Sequence, residues 1–294
     1  MAAVTDAAAD PDRAVGAAEN ASGEVEYNHM GGLAVAVVLG VGLVVAARSN
    51  AVALLVAVAV VQTLLAFAWI YGTGVPGRVG GLIIVACAAA GADVTVSIWP
   101  HSRLGTMLIV FGLSVPAMFV HQVMRGAARV RLVESLGGIA FGVFAAVSPA
   151  ALVQLRHEWV SPATGGKVVA GVVASAAAAL VVGYLIDVVT PSPHFDPAVP
   201  RGLLAVVGAA GVGGSVGHLM LRSDAEFLNG RGAFVGAAVG ALVGFLAVAV
   251  SFVEASTPMP EGGFARRVRP VLSAVVPLAL AAPVGYLVAL AIRT

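Results

Sequence analysis

Of 294 residues, 60% are hydrophobic and only 11% charged, against about a quarter charged in an average soluble domain. Repeated uncharged runs of about 20 residues put the chain in the membrane class and leave too little polar sequence for a soluble domain between them. The net charge of +1 is uneven, with six acidic residues against Arg13 alone in residues 1–30. No basic face carries interleaved aromatics, which excludes a nucleic-acid surface.

The expected fold class is an all-α integral membrane protein, a polytopic bundle of about nine transmembrane helices. Uninterrupted apolar runs fit helices and not barrel strands, because lipid offers the backbone no hydrogen-bond partners. Residues 1–30, rich in Ala, Asp and Glu, read as an acidic disordered tail with too little apolar surface to fold. Residues 31–294 read as one transmembrane helical domain.

The first expected span is residues 31–47, followed by 51–71, 79–99 and 104–124. The fifth to ninth are 135–155, 168–190, 202–221, 232–253 and 271–292. The first is short for a crossing, so eight or ten spans are the alternatives. Trp69, Tyr71, Trp99, Trp159 and Tyr286 are candidates for interfacial aromatic belts. Cys87, the single cysteine, lies in an apolar run and is expected to be a buried structural thiol.

The eighth run, GAFVGAAVGALVGFLAVAVSFV, repeats glycine at every fourth position: Gly232, Gly236, Gly240 and Gly244. On a helix these form one ridge along which another helix approaches to backbone contact. The seventh run carries a matching small-residue ridge that ends in Gly213 and Gly217. Spans seven and eight are therefore expected to form a glycine-ridge hairpin. The same ridge offers a route to a homo-oligomer or to another membrane protein. Gly138 and Gly142 give span five a smaller docking face.

Fifteen arginines against one lysine, Lys167, with abundant Ala, Val and Gly, point to high-GC codon usage and a bacterial plasma membrane. The clusters Arg125, Arg129, Arg131 and Arg266, Arg267, Arg269 fall on the side of the membrane where the N-terminus lies. The positive-inside rule then gives a cytoplasmic N-terminus. These arginines are also the expected contacts to anionic lipid headgroups.

Ionisable groups inside spans are costly, which marks Asp93, His121, Asp187 and His218 for attention. At about 1.5 Å per residue, His218 and Asp187 lie roughly 20 Å apart in depth. The depth-matched pairs are Asp93 with His218 and His121 with Asp187. Asp93, followed by Thr95 and Ser97, forms with His218 the expected substrate-binding patch. Gln62 is the strongly polar side chain of mid-span two. His101, His157 and His194 with Asp196 lie in loops without metal-ligand spacing, and neither a metal nor another cofactor is expected.

Residues Gly214 to Asp224 resemble, over eleven positions, the Gly-Asp…Ser-x-x-Lys-Arg segment of the phosphatidate cytidylyltransferases. That family's acidic and Lys-Asp positions have no counterpart here, so the family and its activity are not assigned. The functional expectation is a permease for a small molecule or lipid. The alternative is a non-catalytic scaffold or subunit that packs through Gly-x-x-x-Gly ridges. A lipid-modifying enzyme comes third, because buried acid–base groups are scarce.

Overall fold

A computed structural model describes residues 29–100, 103–126, 131–190, 194–196, 199–223, 227, 229–256 and 263–293. Residues 1–28 of the expected acidic tail (residues 1–30), Arg129 and His101 lie outside these residues, and the tail's last two residues, His29 and Met30, begin the first helix. The described chain forms α1 (His29–Ser49), α2 (Ala51–Gly72), α3 (Arg78–Ile98), a 3-10 turn (Arg103–Thr106) and α4 (Met107–Met124). There follow α5 (Leu132–Val147), α6 (Ala150–His157), α7 (Pro162–Val189), β1 (His194–Asp196) and β2 (Val199–Gly202). The chain closes with α8 (Leu203–Leu221), α9 (Arg231–Ser256) and α10 (Gly263–Ala291).

Among the described residues, nine helical spans are long and apolar enough to cross a membrane, with α5 and α6 sharing one span from Leu132 to His157. The protein is a multi-pass helical membrane protein. Local signals set the helix ends. Asn50 caps α2 by accepting a 2.8 Å hydrogen bond from the Ala53 amide, which lets α1 and α2 follow each other through one residue. Gly77 starts α3 from the left-handed region at φ +81°, where glycine alone is unstrained. Ser148 and Pro149 break α5 from α6, because proline has no amide to continue the ladder.

The helices divide into two groups. One is the up-and-down set α2, α3, α4 and α5, with α3 packed between α2, α4 and α5. The other contains α7, α8 and α9, joined by α1, which lies mainly along α7 while also touching α2 and α10. The two sets meet at α10, which packs on α1, α2, α7 and α9. Its span is 67% buried, and Pro270, Pro277 and Pro283 lie within it. The α4 span, 22% buried, exposes Leu108, Leu113, Phe119 and Val123 on an apolar surface suited to lipid.

The α8–α9 hairpin is the most extensive helix pair. A Cβ added at Gly213, Gly217, Gly236 or Gly240 would overlap the backbone of the facing helix. At Gly232 it would sit 2.9 Å from the Gly217 carbonyl oxygen, and at Gly244 3.0 Å from the Val206 Cα. A smaller seat forms on α5, where Gly138 receives Val75 and Gly142 receives Trp69 and Val85.

Several expected faces differ. Cys87 is exposed, not buried. Trp69, Trp159 and Tyr286 are buried, and the Trp69 indole donates a 2.7 Å hydrogen bond to the Gly138 carbonyl. Trp99 is exposed at a span end. The proline-rich connector after α7 contains an antiparallel ribbon, with His194 opposite Gly202 and Asp196 opposite Val199.

Candidate functional site

The end of α7 carries Asp187, and the ribbon turns the chain back so that Arg201 arrives beside it. The Arg201 guanidinium donates to Asp187 Oδ2 at 3.2 Å and to Ser251 Oγ on α9 at 3.0 Å. The Gly202 amide donates to the other carboxylate oxygen at 3.2 Å. Both side chains are out of solvent, at 4% and 1% exposure. Arg201 also lies over the Tyr184 ring, 4.4 Å from its centroid. The Tyr184 hydroxyl donates to Ser273 Oγ on α10 at 2.9 Å, and it stands against Gly32 of α1, where a Cβ would sit 2.6 Å away. One charged cluster thereby ties α1, α7, the ribbon, α9 and α10 together.

Glu254, one turn beyond Ser251, is buried beside this cluster under the positive charges of Arg269 and Arg201. Its Oε1 makes no hydrogen bond. Buried ions are tolerated when each lone pair and proton is satisfied and opposite charges adjoin. In the Asp187–Arg201 pair two guanidinium nitrogens and both carboxylate oxygens are hydrogen-bonded, and the pair ties α7 to the ribbon and α9 as a lock.

The depth-matched pairing of Asp187 with His121 is therefore corrected: Asp187 pairs with Arg201. The pairing of Asp93 with His218 is corrected as well. Asp93 on α3 accepts a 3.1 Å hydrogen bond from Gln62 on α2, whereas His218 is exposed on α8, in the other helix group. Thr95 and Ser97 follow Asp93 on α3. Their hydroxyls donate back to the Gly91 and Asp93 carbonyls of their own helix, and Thr95 is buried while Ser97 is exposed. His121 lies against the start of α3, its ring filling the space beside Gly77 and Gly80.

The arginine clusters also separate. Arg131 pairs with Glu134 at the start of α5. Arg125 donates to Gln122 at 2.8 Å, Gln122 to Ser135 at 2.7 Å, and Ser135 to the Pro76 carbonyl at 2.7 Å. Arg267 is exposed, Arg269 is half-buried toward Glu254, and the Arg266 side chain lies outside the described residues. On the opposite face, buried Arg156 donates to the Ala47 carbonyl, and Glu158 accepts from the Tyr286 hydroxyl at 2.8 Å. Among the described residues, no three His, Cys, Asp or Glu side chains converge as metal ligands.

Between the two helix groups, on the face where α1 begins, opens a cleft of about 480 Å³. Trp69 of α2, Phe141 of α5, Leu246 and Val250 of α9, and Leu280 of α10 form its apolar walls, with Arg131 and Glu134 at the rim. The volume falls within the range of small-molecule sites. Its walls are apolar and its rim carries one ion pair. Sequence reasoning missed this cleft, Arg201 and Glu254. The available signal was the pair of opposite charges, Asp187 and Arg201, flanking one short connector. No known protein family, curated protein or solved structure matches the chain.

Proposed function

We propose that the protein is a transporter of amphipathic molecules, lipids foremost, in a bacterial plasma membrane with its N-terminal face toward the cytoplasm. The observation that carries this reading is the cleft between α2 and α5 on one side and α9 and α10 on the other. A gap at the seam of two helix groups is where rocking of one group against the other opens a path. The elements beside the seam have places to bend: the Ser148–Pro149 break between α5 and α6, and the three prolines of α10. The Asp187–Arg201 lock fastens α7 to α9, so that set moves as one unit.

A scaffold role through the glycine ridge has less support. The ridge is already covered by α8, and a partner helix would first have to displace it.

Proteoliposomes carrying a fluorescent acyl-labelled phospholipid test the proposal, with label transfer between leaflets read by quenching with a membrane-impermeant reductant. Wild-type protein should accelerate transfer at least tenfold over empty vesicles, and Val250→Trp, which fills the cleft, should abolish most of that gain. Transfer at the empty-vesicle rate would refute lipid transport. Full activity in Val250→Trp would remove the cleft from the path.

A further inference from the structure

Beside the cleft lies a second, shallow and open hollow of about 580 Å³, and Val75 and Arg131 line both. Most of its lining residues are different ones. The lining is the turn at Gly74, Val75, Pro76 and Gly77, the first residues of α3, and the side chains of His121 and Arg131. The first hydrogen bond of α3 runs from the Gly81 amide to the Gly77 carbonyl. The preceding amides of Arg78, Val79 and Gly80 therefore have no acceptor within the helix, and a helix start carries partial positive charge. Arg78 is exposed at the mouth. The His121 Nε2 atom is buried without a hydrogen-bond partner. The acidic group at this rim is Glu134, already paired with Arg131. The relay from Arg125 through Gln122 and Ser135 to the Pro76 carbonyl fixes the turn that forms the floor.

Two hollows thus share Arg131 at a span end where headgroups lie, and the second adds Arg78 and the start of α3 to it. We infer that this second hollow holds the phosphate of an anionic glycerophospholipid whose acyl chain lies in the adjoining cleft. Arg78, Arg131 and the first-turn amides of α3 face the phosphate. Glu134 competes with the lipid for Arg131 and sets the affinity. The acyl half rests on the amphiphile reading of the cleft, whereas headgroup selectivity stands apart from transport.

Trp69 in the cleft wall is a built-in reporter. In a Trp99→Phe/Trp159→Phe background it is the remaining tryptophan, and lipids with brominated acyl chains quench it on contact. Purified protein in non-ionic micelles is titrated with brominated phosphatidylglycerol and with brominated phosphatidylcholine. The anionic lipid should half-quench at a mole fraction at least fivefold lower. Arg78→Gln with Arg131→Gln should erase the difference, and Glu134→Gln should widen it severalfold. That opposite response is one that damage to the fold does not produce. Equal quenching by the two lipids, or an unchanged preference in the double arginine variant, overturns the inference. Loss of the preference in millimolar inorganic phosphate with quenching otherwise intact assigns the hollow to a free anion and also overturns it. If Arg131→Gln elutes as aggregate, Arg78→Gln alone decides, its side chain being exposed. Translocation is not read in this assay, so failure here leaves the transporter reading standing, and the reverse.

Discussion

Arg201 illustrates how a charge is kept inside a bundle that has no water to spare. Alone, a buried ion costs several kcal/mol; paired and hydrogen-bonded, it becomes a constraint on geometry. Arg201 has Asp187, Ser251 and the Tyr184 ring, and Asp187 has in addition the Gly202 amide. Removing one partner strands the other. Asp187→Ala is therefore expected to cost about 3–5 kcal/mol, and the paired replacement Asp187→Leu/Arg201→Met should recover most of it. Denaturant unfolding in detergent micelles measures both. Singles that simply add in the double variant would refute the lock. The sequence marks Asp187 because it lies inside an apolar run, but Arg201 reads as a loop residue. Hydropathy reports where the chain crosses, not how a connector folds back over the end it has just left. Glu254 escaped for a related reason, since it stands one residue past the apolar run ending at Val253. Asp93 and Gln62 were each visible alone; their bond depends on how α2 and α3 register, which no local pattern encodes.

At the scale of helices, the glycine ridge was the clearest signal in the chain because close approach leaves a compositional trace. A fourfold repeat of glycine on one face has few uses besides backbone contact. The faces of the other helices were harder to read. When every side of a helix is apolar, the pattern carries no direction, and so Cys87 was expected inside and Trp69 and Tyr286 at the interface. Two glycines on α8 convert this contrast into a test. A Cβ at Gly213 would overlap the Gly236 carbonyl, whereas nothing lies within 4 Å of a Cβ at Gly211. Gly213→Leu should destabilise the protein by at least about 3 kcal/mol, the upper end for overpacking, because backbone cannot yield as a side chain does. Gly211→Leu, two residues away, should be nearly neutral. Melting temperatures in one detergent compare the two, and equal shifts would mean that the ridge does not hold α8 to α9.

For the whole molecule, the two helix groups and the cleft between them acquire a direction once the membrane sides are known. Nine spans leave the start of α1 and the end of α10 on opposite faces. Not every arginine speaks to orientation, because buried ones are fixed by their partners. Arg201 and Arg156 are both internal, whereas Arg78, Arg131 and Arg267 are exposed on the face where α1 begins and Arg48, Arg222, Arg231 and Arg293 on the other. Exposed arginines alone therefore do not choose a face; the two dense arginine clusters of the sequence, residues 125–131 and 266–269, share the α1 face, which should be cytoplasmic under the positive-inside rule. Single-cysteine labelling in intact cells decides it. Cys87 is exposed, so the background is Cys87→Ala. Val160→Cys, at a position 97% exposed between α6 and α7, should react with an impermeant maleimide added outside. Arg267→Cys should react only after the membrane is opened. The reverse pattern would turn the cleft and the adjoining hollow outward. Lipid would then enter from the outer leaflet, and the charge asymmetry would have to be explained by contact with headgroups instead of by insertion.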